Sequence, residues 1–389
     1  MTPQSGRRAE APPPIGADER CARAARLRAA MDRAGVSATL LGSTSSLRYF
    51  TGVDWHPSER FCGALLTASR ITYVAPRFEL DKVAGLVSLP GDFATWEEDE
   101  SPYRLIAGLA PTGVLALDPD LPLFMYRGLR REIDDARLGD AGPLIAPLRA
   151  RKSPAEIALM AHAKRLTLEA QRRAHGFLRP GVLASEVARY IDETHRALGA
   201  DGGSTFCIVA FGADTALPHG PEKDRALAEG DPVLIDTGCR IGGYHSDITR
   251  SYVFGAPCAE YRAAWEAEKE AQSAAFEAAR RGALCESVDA AARRSLERRG
   301  YGPGYRLPGL PHRTGHGIGL DIHESPNLVR GDRTPLDIGM CFSNEPMIVV
   351  PGRFGVRHED HFHISGEGPR WFTEPAASLD DPFANVRPL

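Results

Sequence analysis

The stretch that most limits what this chain can fold into is Val233–Arg250, VLIDTGCRIGGYHSDITR. Val, Ile, Thr and Tyr suit strands, while Gly238, Gly242 and Gly243 supply the permissive backbone of a turn. The pattern predicts a strand over Val233–Thr237, a turn over Cys239–Gly243 and a returning strand over His245–Phe254. Two aspartates, Asp236 and Asp247, sit among the apolar and β-branched residues of the two arms. A buried carboxylate is costly unless it is paired or binds a metal. Either these acids line an exposed strand edge or something positive meets them.

A chain of 389 residues has room for a large core and about two domains. A net charge of -4 leaves no basic footprint for nucleic acid and no polybasic patch for a membrane. No run approaches the ~18 apolar residues of a membrane span. The first residues, MTPQSGRRAEAPPPIGADER, are polar and Pro-rich, which excludes a secretory signal and predicts a flexible tail over residues 1–17. Seven scattered cysteines, odd in number and without CxxC spacing, fit a reducing cytoplasm and no disulfide framework.

From residue 18 to 148 short apolar strands alternate with helices, the signature of an α/β layer domain. A helix over Glu19–Ala34 ends at Gly35, and strands are expected at Val36–Leu41, Cys62–Thr67, Ile71–Val74, Val87–Leu89 and Gly113–Leu117. Helices fit between them at Phe78–Ala84, Tyr103–Ala110 and Leu123–Ile133. No phosphate-cradling glycine motif sits at a strand–helix junction. Trp55, His56 and Trp96 could line a pocket, although packing explains each of them as well.

A second domain over residues 149–389 starts at Ser153-Pro154-Ala155-Glu156, a capping Ser with Pro at the first helical position and Glu three residues after the Ser. Helices to about Leu178 and over Leu183–Leu198 precede the hairpin, and helices over Glu260–Arg281 and Ser287–Arg299 follow it. Strands resume over Met340–Val350 and Gly355–Ile364. This repeat of two helices then strands predicts an α+β domain around a curved antiparallel sheet.

Histidines and acids gather in four more places: His219 in Leu217–Gly220, His312 and His316 in the Gly-rich run to Gly319 with His323 beyond, Glu345 before Pro346, and Glu359 two residues after Arg357. Strand alternation sets Arg357, Glu359, His361 and His363 on one face. There is no HExxH, and no helix follows the glycines at 315–319, so neither a single-zinc protease nor a dinucleotide fingerprint is indicated. Asp236, Asp247, His316, Glu345 and Glu359 together would be four carboxylates and one imidazole, too many acids to converge without cations. Two divalent ions about 3.5–4 Å apart would neutralise them, and a water bridging both would lose a proton near neutral pH. Oxygen-rich ligation favours Mn²⁺, with Co²⁺ or Zn²⁺ as other candidates.

In order and local context, these five residues resemble the metal ligands of the pita-bread metallopeptidases, which include methionine aminopeptidase, aminopeptidase P and prolidase. The resemblance covers about residues 155–375, and the preceding α/β domain is similar to the creatinase-like N-terminal domain of the proline-specific members. It implies that Asp236 chelates one ion, that Asp247 and Glu359 bridge both, and that His316 and Glu345 hold the other. It further implies that Glu345 shuttles a proton from the water to the leaving nitrogen. His219 and His323 match the histidines that steady the scissile carbonyl, His312 the one near the leaving nitrogen, and Arg357 the arginine of the proline-specific enzymes. One departure stands out: those members usually read Glu-Pro-Gly-x-Tyr, whereas this chain reads Glu345-Pro346-Met347-Ile348-Val349, with Val349 in place of a pocket-wall aromatic.

The expected activity is hydrolysis of Xaa-Pro bonds by a cytoplasmic dipeptidase of the prolidase type. Aminopeptidase P action on longer peptides is the close alternative. A pita-bread hydrolase or lyase acting on a small non-peptide substrate is a second alternative, and a binding protein that kept only the fold a third. The resemblance also implies a homodimer whose N-terminal domain contributes to a neighbour's entrance, with Trp55 and His56 as candidates.

Overall fold

The computed structural model describes residues 11–389. Contacts divide the chain into one compact unit over Ile15–Arg149 and another built from Ala150–Leu389. Most of the expected tail, residues 1–10, lies outside the described residues, and the first helix starts at Ala17, inside the range expected to be tail.

In the first unit, α1 (Ala17–Ala34) carries Asp18 and Glu19 in its first turn, where negative charge suits the helix dipole, and stops at Gly35 in the left-handed conformation. There follow β1 (Val36–Leu41), α2 (Ser45–Thr51), β2 (Gly63–Thr67), β3 (Ile71–Pro76), α3 (Leu80–Leu86), β4 (Asp92–Trp96), α4 (Pro102–Leu109), β5 (Val114–Leu117), α5 (Leu123–Leu129), β6 (Leu138–Asp140) and α6 (Gly142–Ala150). The six strands form one mixed sheet in the order β4-β3-β2-β1-β5-β6. Leu40, Phe61, Leu65, Val74, Ile106, Leu115 and Leu129 fill the core on one face. The expected strand at Val87–Leu89 is absent, and Asp92–Trp96 pairs with β3 in its place. There Trp96 is a core residue, its Nε1 donating to the Phe61 carbonyl at 3.2 Å.

The second unit opens with α7 (Pro154–Phe177), whose N-terminus has the predicted capping box between Ser153 and Glu156. It continues through α8 (Ala184–Leu198), β7 (Ser204–Phe211), β8 (Pro232–Ile241), β9 (Tyr244–His245), β10 (Ile248–Val253), α9 (Ala259–Ala278) and α10 (Cys285–Arg298). The last strands are β11 (Gly315–Gly317), β12 (Glu324–Leu328), β13 (Cys341–Asn344), β14 (Met347–Val350), β15 (Phe354–Arg357), β16 (Asp360–Ser365) and β17 (Gly368–Trp371). The antiparallel sheets run β10-β8-β7, β12-β11-β13-β16-β17 and β14-β15. Together with the α/β first unit this is the expected pita-bread architecture.

Three details differ from the sequence expectation, the first being that the returning strand expected over His245–Phe254 is interrupted at Ser246-Asp247, which leaves Asp247 between β9 and β10. The hairpin turn is tighter: β8 runs to Ile241 and only Gly242 and Gly243, with φ of 58° and 86°, reverse the chain. Two successive positive φ values are the demand of a type I′ turn, which glycine meets without strain. The long final strands are also each broken in two, at Glu345-Pro346 and at His358-Glu359. Pro346 has no N–H to donate, so a continuous ladder cannot pass through it.

Candidate metal centre

The break in the strands is where the site lies. Asn344 faces Asp360 and Met347 faces Arg357, so counting inward from both pairs sets Glu345 opposite Glu359. Neither glutamate's N–H bonds across this gap. Glu345 N donates outward to the Thr314 carbonyl at 2.8 Å, and Glu359 N to the Thr249 carbonyl at 3.1 Å. The second bond docks Glu359 onto β10, beside the acid hairpin: Thr249 is the register partner of Asp236 on β8.

His316 enters from β11, pressed close to its neighbour because Gly315 leaves no room for a side chain: a Cβ there would stand 2.1 Å from the Ser343 carbonyl oxygen. His316 N donates to Ser343 Oγ at 2.8 Å, and Ser343 Oγ is 3.1 Å from Glu345 Oε1. His316 Nδ1 lies 2.9 Å from the Gly317 carbonyl, an acceptor only, so Nδ1 carries the hydrogen and Nε2 presents a lone pair. That lone pair points at Glu345 Oε1 at 3.2 Å, Asp247 Oδ2 at 3.8 Å and Glu359 Oε1 at 4.0 Å. Electron pairs converge like this only with a proton or a metal cation between them.

All five candidate ligands are therefore brought together, in the groups Asp236–Asp247–Glu359 and His316–Glu345–Glu359, with ligand atoms within 4.8 Å of one another in each. Asp236, Asp247, His316 and Glu359 are buried, and Asp236 Oδ1, Asp247 Oδ1 and Glu359 Oε1 are inaccessible atoms without a hydrogen-bond partner. Burial, followed by the charges of Glu359, Asp236 and Glu345, pushes the Asp247 carboxyl far above its ordinary range. Burial and then Glu345 and Asp236 do the same to Glu359, and burial raises Asp236 despite Arg357 beside it. Burial is the largest influence on Glu345 and would raise it, but the combined pull of His316, His312 and Arg357 outweighs burial and leaves this carboxyl lowered. Orphaned oxygens, an aimed imidazole and uncompensated acids all fit divalent cations.

The remaining candidates surround this cluster. His323 packs edge-on against His316 with ring centroids 4.3 Å apart. Partial burial and the charges of His316 and Arg313 push it down to about 4, and His219, on the exposed loop after Leu217, is near enough to add to this shift. His312 Nδ1 lies 2.7 Å from the Arg313 carbonyl, leaving Nε2 buried without a partner, and burial lowers its pKa. Arg357 is buried at the end of β15. Its guanidinium is buried and hydrogen bonds Asp236 Oδ2, Thr249 Oγ1 at 3.1 Å and the Pro218 carbonyl at 3.5 Å. It orients the Asp236 carboxylate and tethers the residue before His219.

Thr249 and Ser251, which share a face of β10, divide between two tasks. Thr249 Oγ1 donates to Glu359 Oε2 at 2.9 Å, whereas Ser251 Oγ bonds the backbone of Arg357. Of the expected histidine face, His361 Nε2 comes within 4.0 Å of Glu359 Oε1, and His363 leans on Phe372. Val349 is buried and bonds the Gly309 backbone on one side, with Gly355 as its register partner on the other. Sequence reasoning missed Lys164. This lysine is buried on α7, donates to the His245 carbonyl at 3.1 Å and is pushed down to about 8 by burial. Its only sequence signal was a lysine in the apolar stripe of a helix, which many chains carry.

Residues 158–365 match the family described as metallopeptidase family M24, and residues 23–151 match the creatinase/prolidase N-terminal domain. The "Probable dipeptidase PepE" of Mycobacterium tuberculosis is 36% identical over 353 residues, 87% of this chain and 90% of that protein. The "Xaa-Pro dipeptidase" of Lactobacillus helveticus is 32% identical over 343 residues, 86% of this chain and 92% of that one. Among solved structures, dipeptidase PepE from Mycobacterium ulcerans superposes with a TM-score of 0.86 at 32% identity, covering 94% of this chain and 99% of that one. With its fold, its ligand groups and these matches in agreement, the chain belongs to metallopeptidase family M24 and carries the creatinase/prolidase N-terminal domain in front of the M24 domain.

Proposed function

We propose that this chain is an Xaa-Pro dipeptidase working with two divalent cations. The observation that carries the reading is the pair of interlocking ligand groups that share Glu359. Asp236 would hold one ion, Asp247 and Glu359 would serve both, and His316 with Glu345 would hold the other. Four carboxylates and one imidazole suit an oxygen-preferring ion such as Mn²⁺. When bound, such a pair of ions lowers the pKa of a water toward neutrality and polarises a carbonyl oxygen, the two needs of amide hydrolysis.

The chain's own groups supply the rest. Glu345 takes the proton of the attacking water and returns it to the leaving nitrogen. That delivery matters for this bond, because a proline nitrogen carries no hydrogen of its own. His323, neutral at pH 7, donates to the oxygen that becomes negative as the carbonyl turns tetrahedral, and His219 beside it shares that work. His312, fixed with Nδ1 on the Arg313 carbonyl, turns Nε2 toward the leaving nitrogen. Arg357 is a positioning residue acting through Asp236.

The dipeptidase names of the relatives support the substrate class. The division into a creatinase-like domain over 18–148 and an M24 domain over 149–389 belongs to the same reading. So does a homodimer, supported by Trp55, His56 and the exposed Phe78 around an open cleft of the first unit. A cytoplasmic location is supported by seven cysteines that are all unpaired thiols. The test is a panel on Mn²⁺-loaded protein: Xaa-Pro dipeptides, Xaa-Pro tripeptides and dipeptides without proline. Cleavage of the Xaa-Pro dipeptides above the other two supports the proposal. Faster cleavage of the tripeptides would replace it with aminopeptidase action, and inertness toward all Xaa-Pro peptides would remove it.

A further inference from the structure

Behind the metal centre the gap between the broken strands is closed by a single side chain. Pro346 lies opposite His358 by the same register count that sets Glu345 opposite Glu359, and it has no N–H to give the His358 carbonyl. Gln272, at 0% exposure on α9, supplies the missing donor: Nε2 lies 3.2 Å from His358 O, 3.4 Å from Asn344 O and 3.1 Å from Asp360 Oδ2. The orientation of this amide is fixed from behind. Lys269 Nζ, a donor only, sits 3.0 Å from Oε1, so the NH₂ group must face the strands. Asn344 Nδ2 in turn donates to the Gln272 carbonyl at 2.8 Å. The three acceptors belong to the residue before Glu345 and to the residues on either side of Glu359. No other side chain among those described hydrogen bonds the flanks of both glutamates.

We infer that Gln272 is a positioning residue of the metal centre: its amide sets the separation of Glu345 and Glu359 by standing in for the rung that Pro346 cannot make. Glu345 and Glu359 belong to strands that part company here. Their N–H groups are drawn outward, to Thr314 and Thr249, and the ladder, which pairs Asn344 with Asp360 and Met347 with Arg357, makes no rung between the two glutamates themselves. An amide bonded to both flanks holds that spacing before any ion arrives, so the ions meet a preformed site. The inference rests on the dinuclear reading of the site.

The test is metal affinity, measured by calorimetric titration of Mn²⁺ and by the visible absorption of the Co²⁺-loaded protein. Gln272→Met keeps the length and removes the donors, and it weakens metal binding by about tenfold or more, the scale seen when a group that orients a ligand is lost. Lys269→Met leaves the amide in place but free to turn over, and weakens binding by a smaller factor with an altered Co²⁺ spectrum. If Gln272 served only to fill the core, Gln272→Met would melt earlier while its folded fraction bound both ions as the parent does. That result, with an unchanged Co²⁺ spectrum, would overturn the inference. Should Gln272→Met fail to fold, Lys269→Met decides alone: parental affinity and spectrum overturn the inference, and weakened binding supports it. A parent protein that binds fewer than two ions would overturn the dinuclear reading itself, and this inference with it.

Discussion

Stripping the protein of metal with a chelator should leave it carrying protons that the loaded protein does not. Asp247 and Glu359 have carboxyls raised well above their ordinary values by burial and by one another's charge. An acid whose folded pKa is raised binds a proton more tightly folded than unfolded, so its contribution is present at low pH and is lost as pH climbs from about 4 toward the raised value. The loaded protein holds the same carboxylates ionised and escapes this loss. The stabilisation gained on adding Mn²⁺ therefore grows with pH, by about 1.4 kcal/mol per unit for each proton the metal-free cluster retains. The two acids are strongly coupled and titrate as a cluster, so about one retained proton is the reasonable expectation through most of the window. For a domain of this size 1 kcal/mol moves the melting point by about 2–4 °C, which gives a metal-induced shift that widens by about 3–6 °C per pH unit. Buried histidines such as His195 and His245, both pushed down to about 4, act in the opposite direction below pH 6.5. They are the same in both forms and cancel in the difference. Scanning calorimetry on chelated and Mn²⁺-saturated protein from pH 5 to 8 measures that difference. A metal-induced shift that stays flat across the range would refute the reasoning.

The other expectations concern single residues. Asp247→Ala or Glu359→Ala empties or disorders the metal pair and abolishes hydrolysis, and elemental analysis showing two ions retained would contradict their shared role. His323→Ala keeps the metal content and lowers turnover by about 10²–10³-fold, because it removes one donor to the developing oxyanion. Equal turnover in this variant would take His323 out of the site. Thr249→Val removes the hydroxyl between Glu359 Oε2 and Arg357 Nε, leaves that buried nitrogen without its acceptor and costs about 1–3 kcal/mol in a denaturant titration.

The convergence of Asp236, Asp247, His316, Glu345 and Glu359 was legible because metal chemistry leaves few substitutes, and the five stand in order, each in its own motif. The capping box of α7 was legible for a similar reason, since Ser153 and Glu156 satisfy each other locally. The strand at Asp92–Trp96 was not. Its pairing with β3 is a long-range contact, and DFATW alternates too weakly to outrank the apolar Val87–Leu89 nearby. The pairing of Arg357 with Asp236 was equally hidden. A strand pattern says which face a side chain takes, but Asp236 comes from 121 positions earlier in the chain.

That distance along the chain carries a consequence in time. Thr249 meets Glu359 across 110 residues of sequence. During synthesis at about 5–20 residues per second, the acid hairpin emerges roughly 5–20 s before Glu359, the last of the proposed ligands, exists. Through that interval Asp236 and Asp247 have no complete site, so an ion cannot serve as an early nucleus for folding. With the proposed ligand set, capture of the ions would be the final event in maturation and would act on finished molecules by mass action. Supply of the ion governs how much of the completed chain stays in its native form, while the pace of folding is left to the protein alone.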